Sequence, residues 1–187
     1  IPETIEGLPV TKIGNYAFYN CSNLTKVEMP SCIRDIGDFA FSHCMELDEV
    51  NFPSELTTIG NSAFYCCENM TILELPSSVT SIGEYAFSSC HSSLYTEYEY
   101  GKYVRSGDNP YVVLISLANT NMSTYTIHKD TKIIAYGVFS GCSRLTSITI
   151  PDSVTSIGSE AFRDCSSLTS VVIGDSVISI DNEAFYN

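Results

Sequence analysis

The chain has 187 residues, 44% of them apolar, and 9 Lys or Arg against 22 Asp or Glu give a net charge of −13. Length and apolar fraction fit one folded domain, and no apolar run approaches the roughly 20 residues of a membrane-spanning helix, so direct membrane insertion is not expected. So acidic a field repels phosphate backbones and anionic lipid, which argues against nucleic acid as a partner.

A six-residue pattern opens at Ile13-Gly14-Asn15-Tyr16-Ala17-Phe18 and returns at Ile36, Ile59 and Ile82, each time 23 residues on. A weaker copy runs from Ile134 to Phe139, followed by copies at Ile157 and Ile180. The one irregular spacing, 52 residues between Ile82 and Ile134, equals a repeat plus 29, so a single insertion explains it. Behind each Ala-Phe pair the first coil continues through Cys21, Leu24, Val27, Met29, Pro30 and Ile33, and the second through Cys44, Leu47, Val50, Phe52, Pro53 and Leu56. Alternation at Val27 and Met29 predicts a half-buried strand that Pro30 ends. Ala, Phe and Cys at three- to four-residue steps predict one short helical or 3₁₀ turn. No such unit buries its own apolar side chains; stacked units do, with Phe18, Phe41, Phe64, Phe87, Phe139, Phe162 and Phe185 in one row. The expected fold is therefore α/β: a right-handed solenoid of 23-residue coils, each a strand plus a short helical turn, over residues 1–187.

The motif I-G-x-x-A-F-x-x-C-x-x-L-x-x-V-x-[MFLI]-P resembles the BspA-like, or Treponema pallidum-type, leucine-rich repeat, and the lead-in from Ile1 to Lys12 is similar to that family's approach to its first full coil. The resemblance implies a secreted or cell-surface bacterial protein whose work is adhesion or receptor engagement. It implies no catalytic residue and no cofactor.

Six of the eight cysteines (Cys21, Cys44, Cys67, Cys90, Cys142 and Cys165) share one repeat position, so a buried ladder of free thiols is expected, with Cys32 and Cys66 the most accessible. His43 and His91 lie two coils apart, too far to build a zinc site, and His128 stands where other coils end their strand with proline. There is no G-x-S-x-G elbow and no calcium loop, so no metal, cofactor or catalytic residue is assigned.

The additional residues protrude over about 94–118 and read as a β-hairpin, Tyr95 to Val104 and Tyr111 to Leu117 about a turn at Ser106–Pro110; about 119–133 reads as a degenerate coil. Tyr95, Tyr98, Tyr100, Tyr103 and Tyr111 cluster there, either as a binding surface for protein or sugar or, the plainer reading, as a cover for the interrupted core. The outward positions of the strands form the second candidate surface: Lys26, Glu28, Glu49, Asn51, Ile72 and Glu74, then Thr124, Thr126, Ser147, Thr149, Ser170 and Val172. The expected function is a non-catalytic extracellular or cell-surface module that binds a protein ligand, such as a host extracellular protein. Two alternatives stand beside it: a structural spacer within a larger surface protein, and a carbohydrate-active or glycan-binding domain using the tyrosine-rich insertion. The last coil stops at Phe185-Tyr186-Asn187 before its strand, which leads us to expect a longer parent chain.

Overall fold

Each coil places β-branched or other apolar residues at two short stretches, and in the computed structural model both become rungs of parallel ladders. The structure describes residues 1–187 as two units, Ile1–Leu94 and Tyr95–Asn187, both coiled as β-solenoids of 23-residue turns.

In the first unit Lys12–Ile13, Asp35–Ile36, Thr58–Ile59 and Ser81–Ile82 form a four-stranded parallel sheet, with Ile13, Ile36, Ile59 and Ile82 in register. On another side of the coil Lys26–Glu28 pairs with Glu49–Asn51, Val27 opposite Val50. The corresponding stretch of the third coil, around Ile72–Glu74, is not a strand, so this sheet has two strands where three were expected. Between the ladders the phenylalanines stack as the spacing predicts: ring centroids lie 5.0 Å apart for Phe18 and Phe41, 5.2 Å for Phe41 and Phe64, and 5.5 Å for Phe64 and Phe87.

The A-F-x-x-C stretch departs from expectation. It contains no helix; the single helical segment of the chain is a 3₁₀ turn at Ser92–Leu94. The reason lies in the backbone. Tyr16 and Asn20, Phe39 and His43, Ser62 and Cys66, and Tyr85 and Ser89 all have φ between 52° and 62°, so every fourth residue is left-handed and no right-handed helix can run through. Amide donors alternate in direction. Ala17, Tyr19 and Cys21 donate three residues back, whereas Tyr16, Phe18 and Asn20 donate to Asp38, Ala40 and Ser42 of the next coil. An α-helix would claim all six donors for itself. The fold is consequently a β-solenoid, and the α component of the expected class is withdrawn.

The glycines after Ile36, Ile59, Ile82 and Ile157 are explained by the same close stacking. A Cβ on Gly60 would lie 2.7 Å from the backbone nitrogen of Asp38 and from the carbonyl carbon of Gly37, so no side chain fits there. Beside it, side chains cap amides of the neighbouring coil: Asn15 Oδ1 accepts from Asp38 N–H (3.0 Å), Asp38 Oδ1 from Asn61 N–H (2.7 Å), and Asn61 Oδ1 from Glu84 N–H (2.8 Å). Serine and threonine hydroxyls serve carbonyls in the same way, Ser78 donating to Leu56 and Thr57 to Arg34.

In the second unit Tyr95–Tyr98, Gly101–Ser106 and Asn109–Leu117 form an antiparallel meander, three strands rather than the two of a simple hairpin. Its last strand continues into the solenoid: Leu114 lies opposite Ile134 in parallel register, followed by Ile157 and Ile180. Leu114 thus occupies a repeat-isoleucine position, and the segment is built into the stack instead of protruding from it. The degenerate coil pairs in the register its spacing predicts, Thr124–Thr126 against Ser147–Thr149 with Tyr125 opposite Ile148. Ser170–Ile173 completes that sheet. Phe139, Phe162 and Phe185 stack at 4.7 and 4.9 Å.

Candidate interaction surfaces

Strand pleating turns alternate side chains outward, so Lys26, Glu28, Glu49 and Asn51 are exposed as expected. The Lys26 ammonium bridges Glu49 (2.8 Å) and Glu28 (3.2 Å), and those two carboxylates, Glu49 foremost, raise its pKa. At this exposure the pairs add little to stability, so they shape the surface more than they hold the fold. Ile72 and Glu74 are also exposed, Ile72 to 70%, although no strand carries them. In the second unit Thr124, Thr126, Ser147, Thr149, Ser170 and Val172 all face solvent.

The tyrosines of the meander divide. Tyr103 is completely buried and is corrected from surface to core: its hydroxyl meets that of Tyr125 at 3.0 Å and accepts from the His128 amide at 3.3 Å. Burial raises the pKa of both phenols. Tyr111 stacks on the His128 imidazole with centroids 3.6 Å apart, and Tyr98 meets that imidazole edge-on at 4.8 Å. The histidine that replaces a strand-ending proline is therefore held between aromatic rings. Tyr95 lies under the Lys102 ammonium, 3.8 Å from ring centre to nitrogen. Tyr100 alone of the five is more than half exposed. Tyr98, Tyr103 and Tyr111 also pack on one another.

All eight cysteines are free. Cys44, Cys67, Cys90 and Cys165 donate through Sγ to the carbonyl oxygens of Phe18, Phe41, Phe64 and Phe139, at 3.1 to 3.3 Å, so each thiol ties its coil to the preceding one. Burial pushes the Cys44 and Cys142 thiols up to about 11 and Cys67 higher still. The most accessible thiol is Cys21, in the first full coil, while Cys32 and Cys66 are half-buried; Cys32 points back to the Val10 carbonyl (3.2 Å). No three His, Cys, Asp or Glu side chains converge to hold a metal ion, and no helix is long and apolar enough to cross a membrane.

One surface was not anticipated. Two variable positions of the turn stretch read Tyr16, Phe39, Ser62, Tyr85 and Tyr19, Ser42, Tyr65, Ser88 down the first unit. Ser42 and Ser62 each interrupt an aromatic row, in adjacent coils, and the missing rings leave a cleft of about 360 Å³. Tyr19, Phe39, Tyr65 and Tyr85 wall it, with the two serines at its base. His43 sits edge-on between Tyr19 (5.7 Å) and Tyr65 (5.5 Å). The Ser42 hydroxyl is buried and has no hydrogen-bond partner. The sequence carries the signal as aromatic and serine residues at two turn positions every 23 residues, but it is legible only once both positions are known to meet at one cleft.

Ladders of parallel rungs, a stacked phenylalanine row and a 23-residue period define a leucine-rich-repeat solenoid. The chain belongs to the BspA type leucine rich repeat region family, whose repeat matches residues 10–101 and 115–187 in six copies. A leucine-rich repeat protein from Bacteroides ovatus ATCC 8483 is 27% identical with a TM-score of 0.51, the match covering 95% of this chain and 45% of that one. The leucine-rich repeat protein of T. pallidum is 29% identical with a TM-score of 0.47, covering 91% of this chain and 56% of its own. A leucine rich cell surface protein from Faecalibacterium prausnitzii A2-165 is 24% identical with a TM-score of 0.49, covering 99% and 71%. The chain spans about half the length of the first two. No curated protein is detectably similar in sequence.

Proposed function

We propose that the chain is a non-catalytic protein-interaction module working at the cell surface or outside the cell, where it adheres to a protein ligand such as a host extracellular protein. One observation carries the reading. The invariant repeat positions are consumed by packing and inter-coil hydrogen bonds, while the outward positions change freely from coil to coil, from Lys26 to Glu49, Ile72, Thr124 and Ser147. A surface that varies on a fixed scaffold is the arrangement by which solenoids recognise protein partners. Extracellular placement rests on the family resemblance.

The test is retention of the purified chain on immobilised extracellular-matrix proteins and on intact host cells. Saturable binding is expected, weakened several-fold by Glu28→Lys with Glu49→Lys or by Tyr100→Ala, with unfolding midpoints unchanged. Absence of retention across a broad panel would favour a spacer, and turnover of glycans by the wild-type chain would replace the reading with an enzymatic one. Deleting the segment 94–118 is not a clean test, because Leu114 belongs to the isoleucine ladder.

A further inference from the structure

The cleft between the interrupted aromatic rows has a chemistry of its own. Its walls are ring faces and edges, including the His43 imidazole, one buried serine hydroxyl among its lining residues has no partner, and no lysine or arginine lines it. That unit has 3 Lys or Arg against 12 Asp or Glu, a net charge of −9 out of the chain's −13. Two of its three basic residues are engaged elsewhere, Lys26 with Glu28 and Glu49, and Arg34 with Glu55 at 3.7 Å. Beside the cleft the Glu84 carboxylate accepts a hydrogen bond from the exposed Tyr85 phenol and raises its pKa.

Aromatic rings present negative quadrupoles on their faces, and a cation among several rings gains more than at an open site. An acidic surround concentrates cationic ligands near the opening. We infer that the cleft receives a cationic side chain, arginine or lysine, presented by a basic segment of a partner protein. Arginine suits it better, because its planar guanidinium stacks on tyrosine and still presents donors at its edge. The inference rests on the reading of the chain as a protein-interaction module and adds to it the site and the partner's charge.

The variant that isolates the cleft is Ser42→Tyr with Ser62→Tyr. Each change installs a residue that other coils carry at the same position, Tyr19 and Tyr65 for the first, Tyr16 and Tyr85 for the second. The backbone already accepts it: φ is 52° at Ser62 and 60° and 54° at Tyr16 and Tyr85. Net charge is untouched. Fluorescence-anisotropy titration of the full chain would use a short labelled peptide with one central arginine among glycines and serines, its citrulline counterpart, and methyl glucoside as competitor.

The arginine peptide should bind at least about tenfold tighter than the citrulline peptide, and the filled variant should lose that advantage while its thermal unfolding stays cooperative. Tyr85→Leu, which leaves the turn rows otherwise intact, should weaken binding several-fold and serves if the double variant does not fold. Equal arginine binding by wild-type and filled chains would show a diffuse field and overturn the inference, as would displacement by methyl glucoside with no preference for arginine. Retention on matrix proteins by a filled variant as strong as wild-type would refute the cleft alone, leaving the module reading intact; loss of wild-type retention as well would refute both.

Discussion

Phe41 and Phe64, 23 residues apart, lie face to face with ring centroids 5.2 Å apart and planes within 11°, and both rings are wholly buried. Phe64 also contacts Phe87 on its other side, so its ring is shared by three coils. Phe64→Ala should cost about 3–5 kcal/mol by urea unfolding, because the cavity opens in the middle of a stack that cannot collapse without shortening the ladders. A loss below about 1 kcal/mol would contradict this placement.

Gly60→Ala and Gly14→Ala test the inter-coil approach at two equivalent positions. The first puts a methyl 2.7 Å from backbone atoms, while the second meets nothing within 4 Å. Gly60→Ala should destabilise by about 1–3 kcal/mol and Gly14→Ala by less than about 0.5 kcal/mol, read from unfolding midpoints.

Thiol accessibility should follow the ladder. With a water-soluble aromatic disulfide, Cys21 should react first, Cys32 and Cys66 next, and Cys67 only on unfolding; peptide mapping of the labelled chain identifies the order. A rapid reaction of Cys67 in the folded chain would contradict its burial.

Stability should fall at high pH. The Cys44 and Cys142 thiols rise from 9.0 to about 11 in the fold through burial. The folded state therefore keeps protons that the unfolded state has released. Their contribution is complete below about pH 9 and is lost as pH rises through about 11. Cys44→Ala with Cys142→Ala should flatten the pH dependence of the unfolding midpoint over that window.

Much of this architecture can be read from spacing alone. Phe, Ile and Val positions recur at a fixed interval, and stacking follows because no single coil hides them; even the degenerate coil's Tyr125 falls opposite Ile148 where its offset puts it. A helical turn is the natural reading because Ala, Phe and Cys have helical spacing, whereas most of the left-handed residues beside and between them, such as Tyr16, Phe39, Cys66 and Glu160, are of types that carry no turn signature. Leu114 is not legible as a ladder residue in the sequence, because its strand arrives from a meander and not from the preceding turn. Of the surface candidates, Lys26, Glu28 and Glu49 are where alternation puts them. Tyr103 is not: composition shows that tyrosines cluster, but not which of them face inward. The aromatic cleft depends on residues that are absent from a row, and an absence has meaning only when the row is known.

The alternating amides of the turn stretch have one more consequence. Because half of those donors reach only into the adjacent coil, an excised stretch of 23 residues has no internal means of satisfying its own backbone and would remain unstructured in water. Chain length in such a protein is thus effectively quantised: whole coils can be gained or lost by duplication with every ladder preserved, while a gain that is not a multiple of 23, such as the 29 additional residues between Ile82 and Ile134, must be absorbed by weaving a meander into the wall.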